Sequence, residues 1–257
     1  MSYKLTFLGT GTSHGVPSIG CKCETCLSKD PKDNRFRSSI LLERNNKSLV
    51  IDTGPEFRLQ CLRANLSSLD AVLYTHTHAD HLNGIDDLRS FTNKKRTLPL
   101  YGDKKTIKEI SYRFPYFING TINETIIPNL SLNELIPYET KDIKGFKITP
   151  LVVNHGKLEI FGYRIFNVAY LTDCNYINSE TYEYLKDLDI LILDALQHRL
   201  HRTHFTLEQA VDEAKKIGAK HTYFTHIAHG IKHQRDNKLL PKNMELSYDM
   251  LSISLEE

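Results

Sequence analysis

The sequence predicts an α/β domain, of the mixed α+β kind. Three observations carry that expectation. Apolar stretches of strand length alternate with helical stretches along the whole chain. No linker, low-complexity segment or short-period repeat interrupts them. The 257 residues are 40% hydrophobic and 25% charged, which suits one large core-forming domain spanning residues 1–257 rather than a disordered or fibrous chain.

Tyr3 to Leu8 alternates and is rich in β-formers, so it reads as the first strand. Gly9, Gly11 and Gly15 follow as G-x-G-x-x-x-G. That is one residue off the dinucleotide fingerprint and no clean helix follows, which sets a Rossmann turn aside. Ser38 to Arg44 and Lys47 to Asp52 read as two strands joined by Asn45-Asn46, a two-residue hairpin signal. A helix is expected over Phe57 to Ala64, a short buried strand over Ala71 to Tyr74, and a further helix over Ile85 to Phe91. Residues 92 to 144 carry the weakest pattern, with a strand at Leu98 to Tyr101 and a helix from Lys104 to Tyr112. The aromatic stretch Tyr112 to Phe117 and the basic Lys94-Lys95-Arg96 could frame a pocket, but a packed helix end and a solvated turn are the commoner fates of such segments. Strands resume at Gly145 to Val153, Phe161 to Phe166, Val168 to Leu171 and Ile190 to Leu193. Thr206-x-x-Gln209 fits a capping box opening a helix to Ile217, with Gly218 at its C′ position. Thr222 to Thr225 is the last strand read from the pattern.

Charge and composition exclude some functions. Lysine plus arginine is 33 and aspartate plus glutamate is 31, leaving a net +2 and no concentrated basic surface for nucleic acid. No apolar run approaches the roughly 18 residues that span a bilayer. Met1-Ser2-Tyr3-Lys4 enters a strand without a secretory pattern, so a cytoplasmic location is expected.

Twelve histidines and five cysteines carry the chemistry. His76-x-His78-x-Asp80-His81 places four metal-ligating side chains just beyond a buried strand. In extended chain, i and i+2 point the same way, so His76 and His78 can grip one ion, while Asp80 and His81 on the turn beyond can face a second. Imidazole suits zinc, manganese or iron, and carboxylate favours harder ions. Four ligands cannot close two shells. His155, Asp173 and His226 each follow the C-terminal end of a predicted strand, where open α/β sheets gather their sites. Asp52 ends Leu49-Val50-Ile51 in the same way and is expected to orient the 76–81 loop, or else simply to cap the next turn. Cys21-x-Cys23-x-x-Cys26 reads as three thiolates of a zinc site rather than a disulfide. The fourth ligand is read as His229, with Cys61, Cys174 and His14 as rivals. A closed shell of this kind is structural.

The His76 to His81 run, with Asp52, His155, Asp173 and His226 in order, resembles the signature of the metallo-β-lactamase fold. The resemblance implies an αββα sandwich, two β-sheets face to face with helices outside. It also implies one metal on His76, His78 and His155, a second on Asp80, His81 and His226, and Asp173 as bridge. Gly9-Thr10-Gly11-Thr12-Ser13, Gly15-Val16-Pro17, the cysteine triad and His226-x-x-His229 further resemble the PhnP-type subgroup of phosphoribosyl cyclic phosphodiesterase-like hydrolases. This implies two divalent ions, Mn2+ or Zn2+, and one structural Zn2+. Its implied catalytic residues are His204, of Thr203-His204-Phe205, with Asp80 and Asp173. Two departures stand out: Arg202 where proline is usual, and Tyr248-Asp249-Met250 where the pattern is Tyr-Asp-Gly.

The expected function is hydrolysis of a small or cyclic phosphodiester by a dinuclear-metal-activated hydroxide, with His204 as general acid. A small-molecule substrate is expected, with no membrane, nucleic acid disfavoured and a homodimer compatible. The rivals are a tRNA 3′-processing-like nuclease, a thioester or lactone hydrolase, and a non-catalytic zinc-stabilised binding module. The module would gain nothing from seven intact ligands.

Overall fold

Nine elements build the first half: β1 (Ser2–Gly9), β2 (Ser39–Arg44), β3 (Lys47–Ile51), α1 (Phe57–Arg63), β4 (Ala71–Leu73), α2 (Ala79–Leu82), β5 (Leu98–Gly102), α3 (Lys104–Arg113) and β6 (Leu130–Glu134). The second half holds β7 (Lys141–Ile143), β8 (Phe146–His155), β9 (Leu158–Ile165), β10 (Val168–Leu171), β11 (Tyr176–Ile177), α4 (Ser179–Glu183), β12 (Ile190–Asp194), α5 (Leu207–Ile217), β13 (His221–Thr225), α6 (His233–Asn237), β14 (Met244–Leu246) and β15 (Ser252–Glu256). The structure is a computed structural model that describes residues 2–93, 95–117 and 129–256. Lys94 of the basic turn lies outside them. Among the described residues no helix is long and apolar enough to cross a membrane.

One sheet runs β15-β1-β2-β3-β4-β5-β6, the other β11-β8-β9-β10-β12-β13-β14 with β7 beside β8. Both are mixed: β3 to β6 and β10-β12-β13-β14 pair in parallel, the rest antiparallel. Phe7, Ile40, Leu49 and Leu73 of the first sheet face Tyr163, Ile165, Tyr170 and Ile192 of the second. On the outer faces, Val50 and Val72 pack under Phe57, Leu82 and Ile110, and Leu191 and Leu193 under Leu207, Ala210 and Ala214. The result is an αββα sandwich. Strands buried on both faces appear in sequence as continuous apolar runs, which is why Leu49-Val50-Ile51 and Ile190-Leu191-Ile192-Leu193 show no alternation. Burying each such side chain contributes roughly 1.5–3 kcal/mol.

Local chemistry explains the turns. Asn45 and Asn46 take φ of 48° and 59°, as a type I′ hairpin requires. The Thr206–Gln209 capping box forms in both directions, and Gly218 closes α5 at φ 72°. The helix expected at 85–91 is instead a 3₁₀ helix. Its buried residues Ile85, Leu88 and Phe91 recur every third position, the period at which 3₁₀ side chains eclipse. Arg96 donates to the Leu69 carbonyl at 2.7 Å, and Lys95 donates from its backbone to Asn93, so Lys95 and Arg96 lie in a surface turn. At the far end β15 returns to β1, pairing Leu5 with Ile253. Just before it, Met250 sits at φ 71°, a conformation suited to glycine.

Candidate metal centre

The C-terminal ends of β3, β4, β10, β12 and β13 gather at one edge of the sandwich. They deliver Asp52, the His76–His81 loop, Asp173, Asp194 and His226. His155 does not follow a strand, as its sequence pattern suggested. It is the last residue of β8 and pairs with Leu158 across the β8–β9 ladder. Three of these residues hold left-handed backbones, Asp52 at φ 64°, Asp173 at 54° and His226 at 59°. Each such turn costs a non-glycine residue roughly 1–2 kcal/mol, a strain that cores avoid and functional sites tolerate. Gly54 is required for a different reason: a Cβ there would lie 2.3 Å from the Asp80 carbonyl oxygen.

Seven predicted ligands converge. Ring centroids of His76 and His78 lie 4.5 Å apart, His78 and His155 5.1 Å, and His76 and His155 5.7 Å. On the other side, His81 Nε2 lies 3.3 Å from Asp80 Oδ2 and 3.0 Å from Asp173 Oδ2. His226 Nε2 is 3.2 Å from Asp173 Oδ1 and 3.6 Å from Asp80 Oδ2. Asp173 thus reaches His81 with one oxygen and His226 with the other. The outer nitrogens are already engaged. Thr75 Oγ1 meets His76 Nδ1 at 3.0 Å, His155 Nδ1 donates to the Thr203 carbonyl at 3.0 Å, and His81 Nδ1 donates to Asp52 Oδ2 at 2.7 Å. Asp52 also accepts from Thr75 N and Thr75 Oγ1, both at 2.8 Å, so it orients the loop as expected. The Nε2 atoms of His76, His81 and His226 are left buried with no aligned hydrogen bond. Buried polar atoms are normally satisfied, and this set of ring nitrogens without aligned hydrogen bonds, facing carboxylates, fits divalent ions.

The charges agree. Every ion-pair partner recorded for Asp52, Asp80, Asp173 and Asp194 is a histidine. Burial, then the charge of His81, holds His76 well below the ordinary histidine range, and burial brings His155 down to about 4. Both are therefore neutral and offer lone pairs. Burial opposes ionisation of Asp173, yet His226 and His81 hold it well below the usual carboxylate range. Asp80 is lowered in the same way, against its burial, by His81 and His226. For His81 the order reverses: burial lowers it, but Asp173, Asp80 and Asp52 together raise it well above 6.5. A buried carboxylate cluster without lysine or arginine is costly unless a cation neutralises it.

A second centre lies on the neighbouring loop. His229 Nδ1 is 3.2, 3.4 and 3.6 Å from the sulfurs of Cys21, Cys23 and Cys26. A tetrahedral zinc with ordinary Zn–S and Zn–N bonds would set those separations at about 3.6 Å. The Cys23 thiol is lowered to about 6, chiefly by the Cys26 backbone N–H, whereas burial pushes Cys26 up to about 11. Of the rivals for the fourth position, Cys61 and Cys174 are free buried thiols elsewhere, and His14 lines a neighbouring cleft. The glycine loop closes on this region: Thr10 O accepts from Ile227 N at 2.8 Å, and Thr12 N donates to Ile227 O at 3.3 Å.

His204 stands beside both ligand sets. Its ring stacks on His226 at 4.8 Å with a 10° interplanar angle and meets His155 at 4.7 Å. Its Nδ1 donates to Asp194 Oδ2 at 3.1 Å, and Asp194 Oδ1 lies 3.5 Å from His226 Nδ1. Burial lowers His204, and burial raises Asp194 well above the carboxylate range despite His226. Sequence reasoning missed Asp194. The signal was available: it ends an apolar strand just as Asp52 does. Arg113 was also missed. It donates to the Thr77 carbonyl at 2.8 Å and to Asn83 Oδ1 at 2.6 Å, bracing the ligand loop from α3. Nothing in its sequence neighbourhood points there.

Comparison with known proteins agrees with this geometry. The beta-lactamase superfamily domain matches residues 47–227. A crystal structure of a diphosphatase from the PhnP family is 41% identical, with a TM-score of 0.93, over 99% of this chain and 98% of that one. An octanoyltransferase of Porphyromonas gingivalis is 38% identical over 254 residues, 97% of this chain and 51% of that protein. A ribonuclease Z of Listeria monocytogenes is 34% identical over 169 residues, 63% of this chain and 48% of the relative. The chain thus spans about half the length of these two curated relatives.

Proposed function

We propose a function on one premise: this chain belongs to the beta-lactamase superfamily and, within it, to the PhnP family. It is a metal-dependent hydrolase. In our reading its substrate is a small or cyclic phosphodiester, cleaved by in-line attack of water on phosphorus. Ions held by His76, His78 and His155, by Asp80, His81 and His226, and by Asp173 between them would supply water activation and neutralise phosphoryl charge. Mn2+ and Zn2+ both suit that donor set. Cys21, Cys23, Cys26 and His229 would hold a structural Zn2+ that braces the loop carrying His226.

The observation that carries the reading is His204. It lies outside both ligand sets, against their two outermost histidines, with its Nδ1 fixed by Asp194. That bond turns Nε2 toward the site. Burial keeps the free imidazole neutral, and an arriving phosphate anion raises its proton affinity. The proton it takes up is then placed to protonate a departing alkoxide. A thioester has a better leaving group, a thiolate, and little use for such an acid. The PhnP-family relative is described as a diphosphatase, which favours a second reading with the same attack on phosphorus and a phosphate as leaving group.

Leaving-group chemistry tests the assignment. His204→Ala should lower kcat on an alkyl phosphodiester by about 10²–10⁴. It should lower it far less on a p-nitrophenyl ester, with metal content unchanged. Equal losses on both esters would remove His204 from the acid role.

A further inference from the structure

Arg35 is a buried cation that no step of the proposed reaction uses. Its side chain is 0% exposed and pairs with Asp33, which is buried with it. We propose that Arg35 is a positioning residue for both metal centres: it clamps the turn that carries His229 and, through that turn, fixes His226. The inference rests on the metal-ligand reading above, since it concerns where those two ligands are held.

The hydrogen bonds carry the assignment. Arg35 Nη1 donates to the Ala228 carbonyl at 3.3 Å and to the Ile231 carbonyl at 3.0 Å. Those carbonyls begin and end one turn, in which Ile231 N donates to Ala228 O at 3.2 Å. His229 lies between them, and His226 lies two residues before Ala228. Arg35 Nη2 donates to Asp33 Oδ1 at 3.0 Å, and the same oxygen accepts from His233 N at 2.8 Å. The ion pair therefore holds the segment at Ala228, Ile231 and His233. The backbone of Arg35 grips the cysteine side. Its N donates to Val16 O at 2.7 Å, and its O accepts from Val16 N at 2.9 Å. Two residues on, Ser18 N donates to Cys26 Sγ at 3.4 Å. One residue thus ties together the two loops that supply the thiol centre.

The glycine loop is shaped around this clamp. A Cβ at Gly11 would lie 2.8 Å from the Arg35 carbonyl oxygen and 2.9 Å from Arg35 Cβ. Glycine there allows the close approach that pairs Thr10 and Thr12 with Ile227, the residue after His226. Stability alone does not account for the arginine. Replacing a buried ion pair by apolar side chains of similar volume is often neutral or stabilising. What the guanidinium adds is direction, because its donors form a rigid fork, whereas lysine carries one ammonium on a flexible stem. Losing the hydrogen bonds that orient metal ligands ordinarily costs about 10–100-fold in metal affinity or activity.

The test compares the unsubstituted protein with Arg35→Lys and with a paired variant, Asp33→Asn with Arg35→Met, which leaves no orphaned carboxylate. Cobalt-loaded protein is titrated with a competing chelator, and the thiolate-to-cobalt absorption band reports the cysteine centre. On zinc-loaded protein, kcat and KM are measured with a p-nitrophenyl phosphodiester, and circular dichroism gives the folded fraction. The paired variant should hold cobalt at the thiolates about 10–100-fold more weakly and lose a similar factor in kcat, with KM unchanged. Arg35→Lys keeps the charge beside Asp33 but not the reach of the fork, and should show both losses at smaller size. Unchanged cobalt affinity and kcat in either variant would overturn the clamp, as would losses that vanish once corrected for the folded fraction. No thiolate band in the unsubstituted protein would overturn the thiol-centre reading and the clamp together. No diester hydrolysis, with the cobalt losses present, would overturn the phosphodiesterase reading and keep the clamp on His229.

Discussion

Asp194→Asn separates catalysis from folding at a single atom. Asp194 Oδ2 accepts from His204 Nδ1 at 3.1 Å and from Phe205 N at 3.2 Å, while Oδ1 faces His226 Nδ1 at 3.5 Å. An asparagine keeps the shape and one acceptor, but its amide carbonyl is a weaker partner for protonated His204 than a carboxyl group that can ionise as His204 takes up its proton. Hydrogen bonds to charged groups contribute about 1.5–3 kcal/mol, which corresponds to roughly 1–2 units of His204 pKa. At neutral pH the protonated acid should fall about 10–100-fold, and kcat on alkyl diesters with it. Stability should move the other way. Burial raises the folded-state pKa of Asp194 above its unfolded value, so the ionised group opposes folding at pH 7, and its removal should not lower the melting temperature of metal-depleted protein. The assay is a pH–rate profile on alkyl and p-nitrophenyl esters beside a thermal melt. The alkaline limb for the alkyl ester, where His204 loses its proton, should shift downward by about 1–2 units. Equal loss on both esters, with a lowered melting temperature, would show that Asp194 only supports the fold.

Other perturbations probe separate parts of the molecule. Cys23→Ser should lose one equivalent of zinc and much stability while retaining the active-site metals, as metal analysis after gel filtration would show; unchanged zinc would refute the thiol centre. Met250→Gly should raise stability by about 0.5–1 kcal/mol in urea unfolding, because relief of a left-handed backbone outweighs the glycine entropy term. An unchanged or lowered midpoint would show that the methionine side chain offsets the strain. Asp249 is pushed up to about 6 by burial, although it accepts from Thr10 and Phe36. Its folded pKa exceeds its unfolded one, so its contribution is greatest below pH 4 and declines as pH rises through 6, by on the order of 2–3 kcal/mol. That limb of the stability profile should flatten in Asp249→Asn, and an identical limb would contradict the assignment.

Much of the candidate site was legible because its candidate ligands share one placement. Asp52, the 76–81 loop, Asp173 and His226 all lie just past apolar strands, and parallel ladders bring those ends together. The hairpin at Asn45-Asn46 and the capping box at Thr206 were legible because each is a local bargain between side chain and backbone. What stayed hidden is non-local. β15 is a short, half-polar edge strand that exists because β1 is there to pair with it across the whole chain. Residues 85–91 carry enough apolar residues for either helix type, and only their threefold spacing selects 3₁₀. Likewise Arg113 reaches Thr77 through the packing of α3 on the sheet, with no trace in either segment.

The most direct test of the central claim is reconstitution. Chelated protein, restored with Mn2+ or with Zn2+, is assayed on small and cyclic phosphodiesters and on carboxylic esters and thioesters. Chelated protein should show no turnover, either ion should restore phosphodiester hydrolysis, and ester hydrolysis should stay low. Recovery confined to carboxylic esters or thioesters, with no phosphodiester cleaved, would contradict that claim.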